Sequence, residues 1–202
     1  MCYIYIDSNY RTRLSDFYCF FLNSAEEKEE LHKICELYKS WLDKGKTERE
    51  CVELAVELAE KAGYHNLEEY LSEERQIQKG EKIYAVCMKK CIVLFRMGAE
   101  PISAGMNILG AHIDSPRIDI KQNPLYEKDD FTYLDTHYYG GIKKYQWVTQ
   151  PLALHGVVVK KDGSCVNISI GEREDEPVFV ITDLLVHLAS KQLEKKAGEV
   201  IE

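Results

Sequence analysis

The sequence predicts an α/β protein in which helices pack on a mixed sheet and a β-rich region follows. Two amphipathic helical segments come first along the chain, after about residue 24. Short apolar segments typical of strands follow them. From Thr132 onward, aromatic and β-branched residues alternate with glycine-containing turns. We therefore expect two domains, formed by residues 1–121 and 122–202.

The two helices are predicted from apolar residues at helical spacing and from their end signals. The first is expected from Ala25 to about Leu42, with leucine, isoleucine and aromatic residues on one face. The second is expected to begin after Thr47, because Glu50 stands three residues later in the pattern of a capping box. Gly63 suits the left-handed position that ends it. Packing explains both helices, so no chemistry is assigned to them.

The strands are predicted from short apolar segments bounded by polar or turn residues. Residues 82–88 and 91–97 form a predicted β-hairpin around Lys89 and Lys90. Residues 106–113 are predicted to form a buried strand, which ends before Pro116 because proline cannot continue a ladder. The second domain carries three further strand predictions and one helix, at residues 152–160, 166–170, 178–181 and 182–193.

Composition excludes several classes of function. A net charge of −8 disfavours nucleic-acid binding, which needs clustered lysine and arginine. No apolar stretch approaches the roughly 20 residues needed to cross a membrane, and residues 1–22 lack the pattern of a secretory signal. Seven cysteines without a Cys-x-x-Cys pair favour reduced thiols, and the spacing of Cys87 and Cys91 is by itself no metal signal. We expect a cytoplasmic protein.

The most informative local pattern is His112-Ile113-Asp114. On the predicted strand the first and third side chains point to the same side, so the carboxylate can approach the imidazole. Zinc binds neutral imidazole, and a carboxylate on the other ring nitrogen orients the ring and raises its basicity. Taken alone, the tripeptide is a weak signal and favours a histidine that is simply hydrogen-bonded to a nearby acid at a strand end.

A longer set of motifs resembles the aspartyl aminopeptidase family of zinc metallopeptidases from about Lys46 onward. Residues 1–24 match nothing in that family, and two interpretations stay open for them, an atypical extension or an artefact of how the reading frame is defined. The run that carries the resemblance is Gly110-Ala111-His112-Ile113-Asp114-Ser115-Pro116-Arg117, then Asn123-Pro124-Leu125-Tyr126, then Tyr138-Tyr139-Gly140-Gly141-Ile142-Lys143-Lys144-Tyr145-Gln146-Trp147 and Pro151-Leu152-Ala153-Leu154-His155-Gly156.

The resemblance implies the fold and the activity. It makes residues 1–121 part of a zinc-exopeptidase catalytic domain and residues 122–202 part of a β-rich dimerisation domain, through which the protein would self-associate. It implies a two-metal site with His112 as a ligand and Asp114 as the catalytic carboxylate that orients it. Hydrolysis would be metal-assisted and would release N-terminal acidic or neutral residues from peptides. Cobalt and manganese accept the same ligand types as zinc.

The resemblance also makes His187 a second candidate metal ligand, or a group that reaches a neighbouring subunit. An exposed helix histidine is the alternative. Lys143, Lys144 and Arg117 are candidates to neutralise an acidic substrate side chain, although most such charges are simply solvated. The family pattern further includes a bridging aspartate, a glutamate pair, another acidic ligand and a late histidine, which this sequence does not match. Two functions therefore stay open, an aminopeptidase that lacks these groups here and an inactive assembly module.

Overall fold

The structure is a computed structural model that describes residues 24–201, so the expectations for residues 1–22 lie outside the described part. It is a mixed α/β structure, as the sequence predicts. Contacts between residues divide the chain into two compact units, up to Ile113 and from Asp114 onward. The predicted boundary between residues 121 and 122 falls inside a continuous strand, Arg117–Lys128.

Two capped helices begin the first unit. Helix α1 spans Ala25–Lys44 and helix α2 spans Glu48–Lys61. Thr47 and Glu50 form the predicted capping box, with the Thr47 N–H donating to Glu50 Oε2 at 2.8 Å. Gly63 follows the end of α2 with φ of +83°, a conformation that costs residues with a Cβ energy. Both predicted helices are confirmed.

A three-stranded sheet packs against α2. Strand β1 (His65–Asn66) pairs in parallel with β2 (Lys82–Cys87), which pairs antiparallel with β3 (Cys91–Arg96) and so forms the predicted hairpin. Helix α3 (Leu67–Ser72) lies in the connector for which the sequence predicts no element. The buried apolar residues of this unit come from α2, α3 and β2, and they are Val52, Ala59, Tyr70, Ile83 and Tyr84.

A side-chain hydrogen bond from Tyr84 joins α2 to this sheet. The Tyr84 hydroxyl donates to Glu60 Oε1 at 2.7 Å, while its ring is 4% exposed. Burial of the phenol, and then its hydrogen bond to the Glu60 carboxylate, raise the pKa of Tyr84 to about 12. The phenol therefore stays protonated and continues to donate over the whole neutral range.

The second unit is built from two antiparallel hairpins. Strands β4 (Arg117–Lys128) and β5 (Phe131–Tyr139) form the first, with an irregularity in register between Ile120 and Leu125. Strands β6 (Leu154–Val159) and β7 (Cys165–Ile170) form the second. Only Val148 and Ala189 of this unit are buried apolar residues among the described part of the chain. The predicted β-rich character of this region is confirmed.

The predicted buried strand over residues 106–113 is wrong. These residues form no strand, and the side chains of Met106, Ile108 and Leu109 are 60%, 80% and 100% exposed. A strand in a protein interior needs a neighbour to satisfy its backbone N–H and C=O groups. The described residues provide no neighbour for this segment, so its apolar composition alone does not make it a strand.

The predicted helix over residues 182–193 is also wrong for most of its length. Only its last turn is helical, as α4 (Ser190–Leu193), and residues 186–188 form a turn. The Asp183 carboxylate accepts from the Leu184 N–H and from Gln192 Nε2, both at 2.8 Å, which stabilises a loop instead of a helix. Residues 178–181 make isolated bridges and not a full strand. Within the described residues, no helix has the length and apolar character needed to span a bilayer.

Candidate functional site

His112, the predicted metal ligand, is an exposed residue of an irregular segment. Because residues 106–113 are not a strand, the alternation of side chains that was expected to bring His112 and Asp114 to one side does not apply here. His112 belongs to the end of the first compact unit, and Asp114 begins the second.

Asp114 is held by the end of strand β5. The Tyr139 hydroxyl donates to Asp114 Oδ2 at 2.9 Å, across 25 residues of sequence. Tyr139 is the last residue of β5 and lies opposite Arg117, the first residue of β4, so the β4–β5 pairing places it beside the chain that enters β4. A carboxylate that accepts a hydrogen bond from a hydroxyl group is restricted in orientation, as a residue that positions another group must be.

Arg117 supports the same corner of the hairpin. Its guanidinium lies 4.3 Å from the centre of the Tyr139 ring, and its Nε donates to Asp119 Oδ1 at 2.7 Å. A third contact runs from Nη1 to the Ser115 carbonyl at 3.5 Å. The guanidinium thus packs on the tyrosine that holds Asp114. The structure gives Arg117 this packing role, whereas the sequence suggested a cation for the substrate.

His187, the second predicted metal ligand, lies in the exposed turn at residues 186–188. The loop before it is fastened by Asp183, whose pKa is lowered first by the hydrogen bond from Gln192 and then by the Leu184 N–H. His187 and His112 fall in different compact units.

The described residues do not by themselves fit a metal ion. No group of three or more histidine, cysteine, aspartate or glutamate side chains lies close enough together among residues 24–201 to hold one. Stable zinc sites use three or four protein ligands. His112 and Asp114 together fall short of that number, and Asp114 also accepts a hydrogen bond from Tyr139.

Lys143 and Lys144 line a shallow cavity of about 460 Å³ in the second unit. Its wall also includes Tyr138 and Tyr145, and the Lys144 Nζ lies 5.6 Å from the centre of the Tyr138 ring. Neither lysine takes part in an ion pair with another described residue. Two cations and two aromatic rings on a concave surface suit a small anionic group.

Tyr139 is the residue that sequence reasoning missed. It stands in the Tyr138-Tyr139-Gly140-Gly141 run, where it reads as one more aromatic residue of a β-rich segment. Its importance depends on the register of β4 and β5, which pairs residue 117 with residue 139. The glycines after it gave a signal, since Gly140 has φ of +72° and ends the strand with Tyr139 as its last residue.

Comparison with known proteins gives the same family from a family profile and from individual relatives. The sequence profile of the family described as "Aminopeptidase I zinc metalloprotease (M18)" matches residues 41–201. A "Probable M18 family aminopeptidase 1" of Clostridium acetobutylicum is 54% identical over 177 residues, which cover 88% of this chain and 38% of the relative. The chain thus spans about two fifths of the length of the curated relatives that it matches.

Solved structures show the same relationship. The crystal structure of aminopeptidase I from Borrelia burgdorferi B31 is 42% identical with a TM-score of 0.76, and the match covers 83% of this chain and 40% of that one. The structure of an M18 family aminopeptidase from Thermotoga maritima is 40% identical with a TM-score of 0.76, over 85% of this chain and 37% of that one.

Proposed function

Because this chain belongs to the M18 family of zinc metalloproteases, we propose that it forms part of an aminopeptidase that releases N-terminal residues from peptides. The observation that carries the proposal is 54% identity over 177 residues to a curated M18 aminopeptidase. The matching region includes the run from Gly110 to Arg117, which contains His112 and Asp114. The activity itself would belong to a whole protein of the length of the curated relatives, which are longer than this chain.

In this proposal His112 is one metal ligand and Asp114 is the residue that positions it. The hydrogen bond from Tyr139 supports the second role, because it holds the carboxylate in one orientation. Zinc is the metal that the family description names, and manganese or cobalt would accept the same ligand types. The remaining ligands would come from groups outside the described residues. His187 is proposed as a further ligand or as a group that reaches a second subunit.

The substrate side chain is proposed to be acidic or neutral. Lys143 and Lys144 support the acidic case, since both line the cavity of the second unit and neither is neutralised by a carboxylate among the described residues. The ammonium group of lysine is a compact positive charge, and it attracts the carboxylate of an acidic side chain. Arg117 does not support an acidic substrate side chain, because its guanidinium already contacts Asp119 and Tyr139.

The second candidate function is an assembly module without catalysis. Exposed apolar side chains in the second unit favour it, among them Val158 and Val159 on β6 and Leu185 near α4. Large exposed apolar areas mark interaction surfaces in soluble proteins. In either case we propose that the protein works in the cytoplasm and self-associates through the β-rich unit.

A chimera separates the two functions. The matching 177 residues of the Clostridium acetobutylicum relative are replaced by those of this chain, and hydrolysis of N-terminal aspartyl, glutamyl and leucyl peptides is measured. We expect turnover that a chelator abolishes, and a loss of at least about tenfold in the His112→Ala variant, because mutation even of the groups that only orient a metal ligand costs about 10–100-fold.

Matched controls keep the result interpretable. His32→Ala removes another exposed histidine, which lies on α1, and should leave turnover unchanged. A folded, self-associating chimera with no turnover would favour the assembly module. If the turnover of the chimera is unchanged by His112→Ala, the proposal that His112 is a metal ligand is wrong.

A further inference from the structure

Two cysteines face one another at the tip of the β2–β3 hairpin. Cys87 is the last residue of β2, Cys91 is the first of β3, and the two are direct register partners. Opposite residues on an antiparallel ladder project to the same face, with Cα atoms about 4.5–5.5 Å apart. Disulfides need a Cα separation of about 4.4–6.8 Å. The hairpin therefore meets this requirement without moving its strands.

Both thiols are free and exposed. The turn between them is held in place, because the Lys90 N–H donates to the Cys87 carbonyl at 2.9 Å and Arg49 Nη1 donates to the Met88 carbonyl at 3.1 Å. The second contact ties the turn to helix α2. The backbone around the pair is thus fixed while the sulfur atoms remain open to reagents in solution.

The positive charge of the two lysines beside the cysteine pair favours reaction with anionic disulfides. Lys89 and Lys90 lie in the turn, are both exposed, and form no ion pair with another described residue. Adjacent cations raise the local concentration of anions. Small disulfides that carry carboxylates, of which oxidised glutathione is the common example, are therefore attracted to this tip more than neutral ones are.

The other cysteines in the described part of the chain lack this arrangement. Cys35 and Cys165 are exposed, but Cys165 lies opposite Val159 and Cys35 stands on a helix. Cys51 is half-buried, and desolvation raises the pKa of its thiol, which makes it a poor nucleophile at neutral pH. Among residues 24–201, Cys87 and Cys91 are the one cysteine pair matched across a ladder.

We propose that Cys87 and Cys91 form a reversible dithiol that exchanges with anionic small-molecule disulfides of the glutathione type. One cysteine thiolate attacks a sulfur of oxidised glutathione, which forms a mixed disulfide and releases one glutathione thiolate. The second cysteine then attacks the mixed disulfide at the protein sulfur and releases the other glutathione. The two electrons and both thiol protons pass to the two glutathione molecules, which leave as thiols.

The reaction would lock the register of the hairpin. Strand β2 carries Ile83 and Tyr84, two buried residues of the first unit, and its pairing with β3 fixes where they lie. A cross-link at the tip prevents the strands from sliding or separating at that end. This site is independent of the proposed peptidase activity, and its failure would leave that activity untouched.

Peptide mapping tests the proposal on the intact chain. The reduced protein is incubated with oxidised glutathione, quenched with acid, alkylated and digested with trypsin, which cuts after Lys89 and Lys90. In the reduced chain the two cysteines leave on separate peptides. After oxidation we expect them on one linked species, and reduction should separate them again.

Variants and denaturant sharpen the result. Cys87→Ser should leave a glutathione adduct on Cys91, because no second thiol resolves it, whereas Cys165→Ser should leave the linked species unchanged. In urea the equilibrium constant for closure should fall by about tenfold or more, which corresponds to about 30 mV. Separate adducts on Cys87 and Cys91 in the wild type would overturn the proposal. Equal closure in folded and unfolded chains would overturn it too, since sequence proximity would then explain the pairing.

Discussion

At the scale of single residues, the hydrogen bond from Tyr139 to Asp114 is the contact on which the site geometry depends most. The Tyr139→Phe variant removes the donor and keeps the ring on Arg117. We expect the free energy of unfolding to fall by about 1 kcal/mol, the usual net worth of such a hydrogen bond. Urea denaturation followed by circular dichroism measures it.

Tyr138→Phe is the matched control for this variant. Its hydroxyl makes no hydrogen bond with another described residue, so the change should stay within about 0.5 kcal/mol. Equal effects of the two variants would mean that the Tyr139 hydroxyl does not hold Asp114.

Glu176 carries a pH-dependent contribution to stability. Its Oε2 accepts from the N–H groups of Gly171, Glu172 and Arg173 at 2.9, 3.2 and 3.3 Å. The Gly171 N–H, followed by that of Arg173, lowers the pKa of Glu176 in the folded state. The stabilisation is therefore present above the unfolded pKa of about 4.3 and is lost as pH falls through the lower folded value.

Glu176→Gln should remove that dependence. The urea midpoint of the wild type is expected to drop more steeply than that of the variant between about pH 6 and pH 3, because only the wild type loses a charged acceptor there. Glu174→Gln, which alters an exposed neighbour without a hydrogen bond to another described residue, should behave like the wild type. Parallel curves for all three proteins would refute the assignment.

At the scale of elements, the sequence correctly predicts features that depend on neighbouring residues. It does not predict features that depend on contacts between residues far apart in the chain. Thr47, Glu50 and Gly63 identify both ends of α2, because caps depend on residues within one turn. The β2–β3 hairpin is likewise local. Residues 106–113 fail as a strand because strand formation needs a distant partner, and Tyr139 is missed because its contact with Asp114 crosses 25 residues.

The junction of α2 with β2 offers a test at alkaline pH. Tyr84 has a pKa raised to about 12, against about 10 in an unfolded chain, so its contribution is fully present below about pH 10 and is lost as pH rises through the folded value. Tyr84→Phe should therefore lose less stability than the wild type between about pH 9 and pH 11. Urea midpoints at the two pH values measure the difference, with Tyr138→Phe as the exposed control. An identical loss in Tyr84→Phe and the wild type would contradict the buried phenol.

At the scale of the whole molecule, burial is sparse. Seven apolar residues are buried among the described residues, and the second unit contributes two of them. Leu185 is 72% exposed, so Leu185→Asp should cost little stability while it weakens association through apolar contacts. Analytical ultracentrifugation should show a smaller associated fraction for this variant than for Thr182→Asp, an exposed polar neighbour. Unchanged association of Leu185→Asp would count against a contact at this surface.

The central claim is that His112 contributes to the metal site of an M18 aminopeptidase, and metal content tests it most directly. Zinc per chain is measured by mass spectrometry in the chimera with the Clostridium acetobutylicum relative, with and without His112→Ala, alongside His32→Ala. We expect near-stoichiometric zinc in the chimera and in His32→Ala, and a clear deficit in His112→Ala, because a zinc site that loses one of three or four ligands holds the ion far more weakly. Full zinc content in His112→Ala would contradict the assignment.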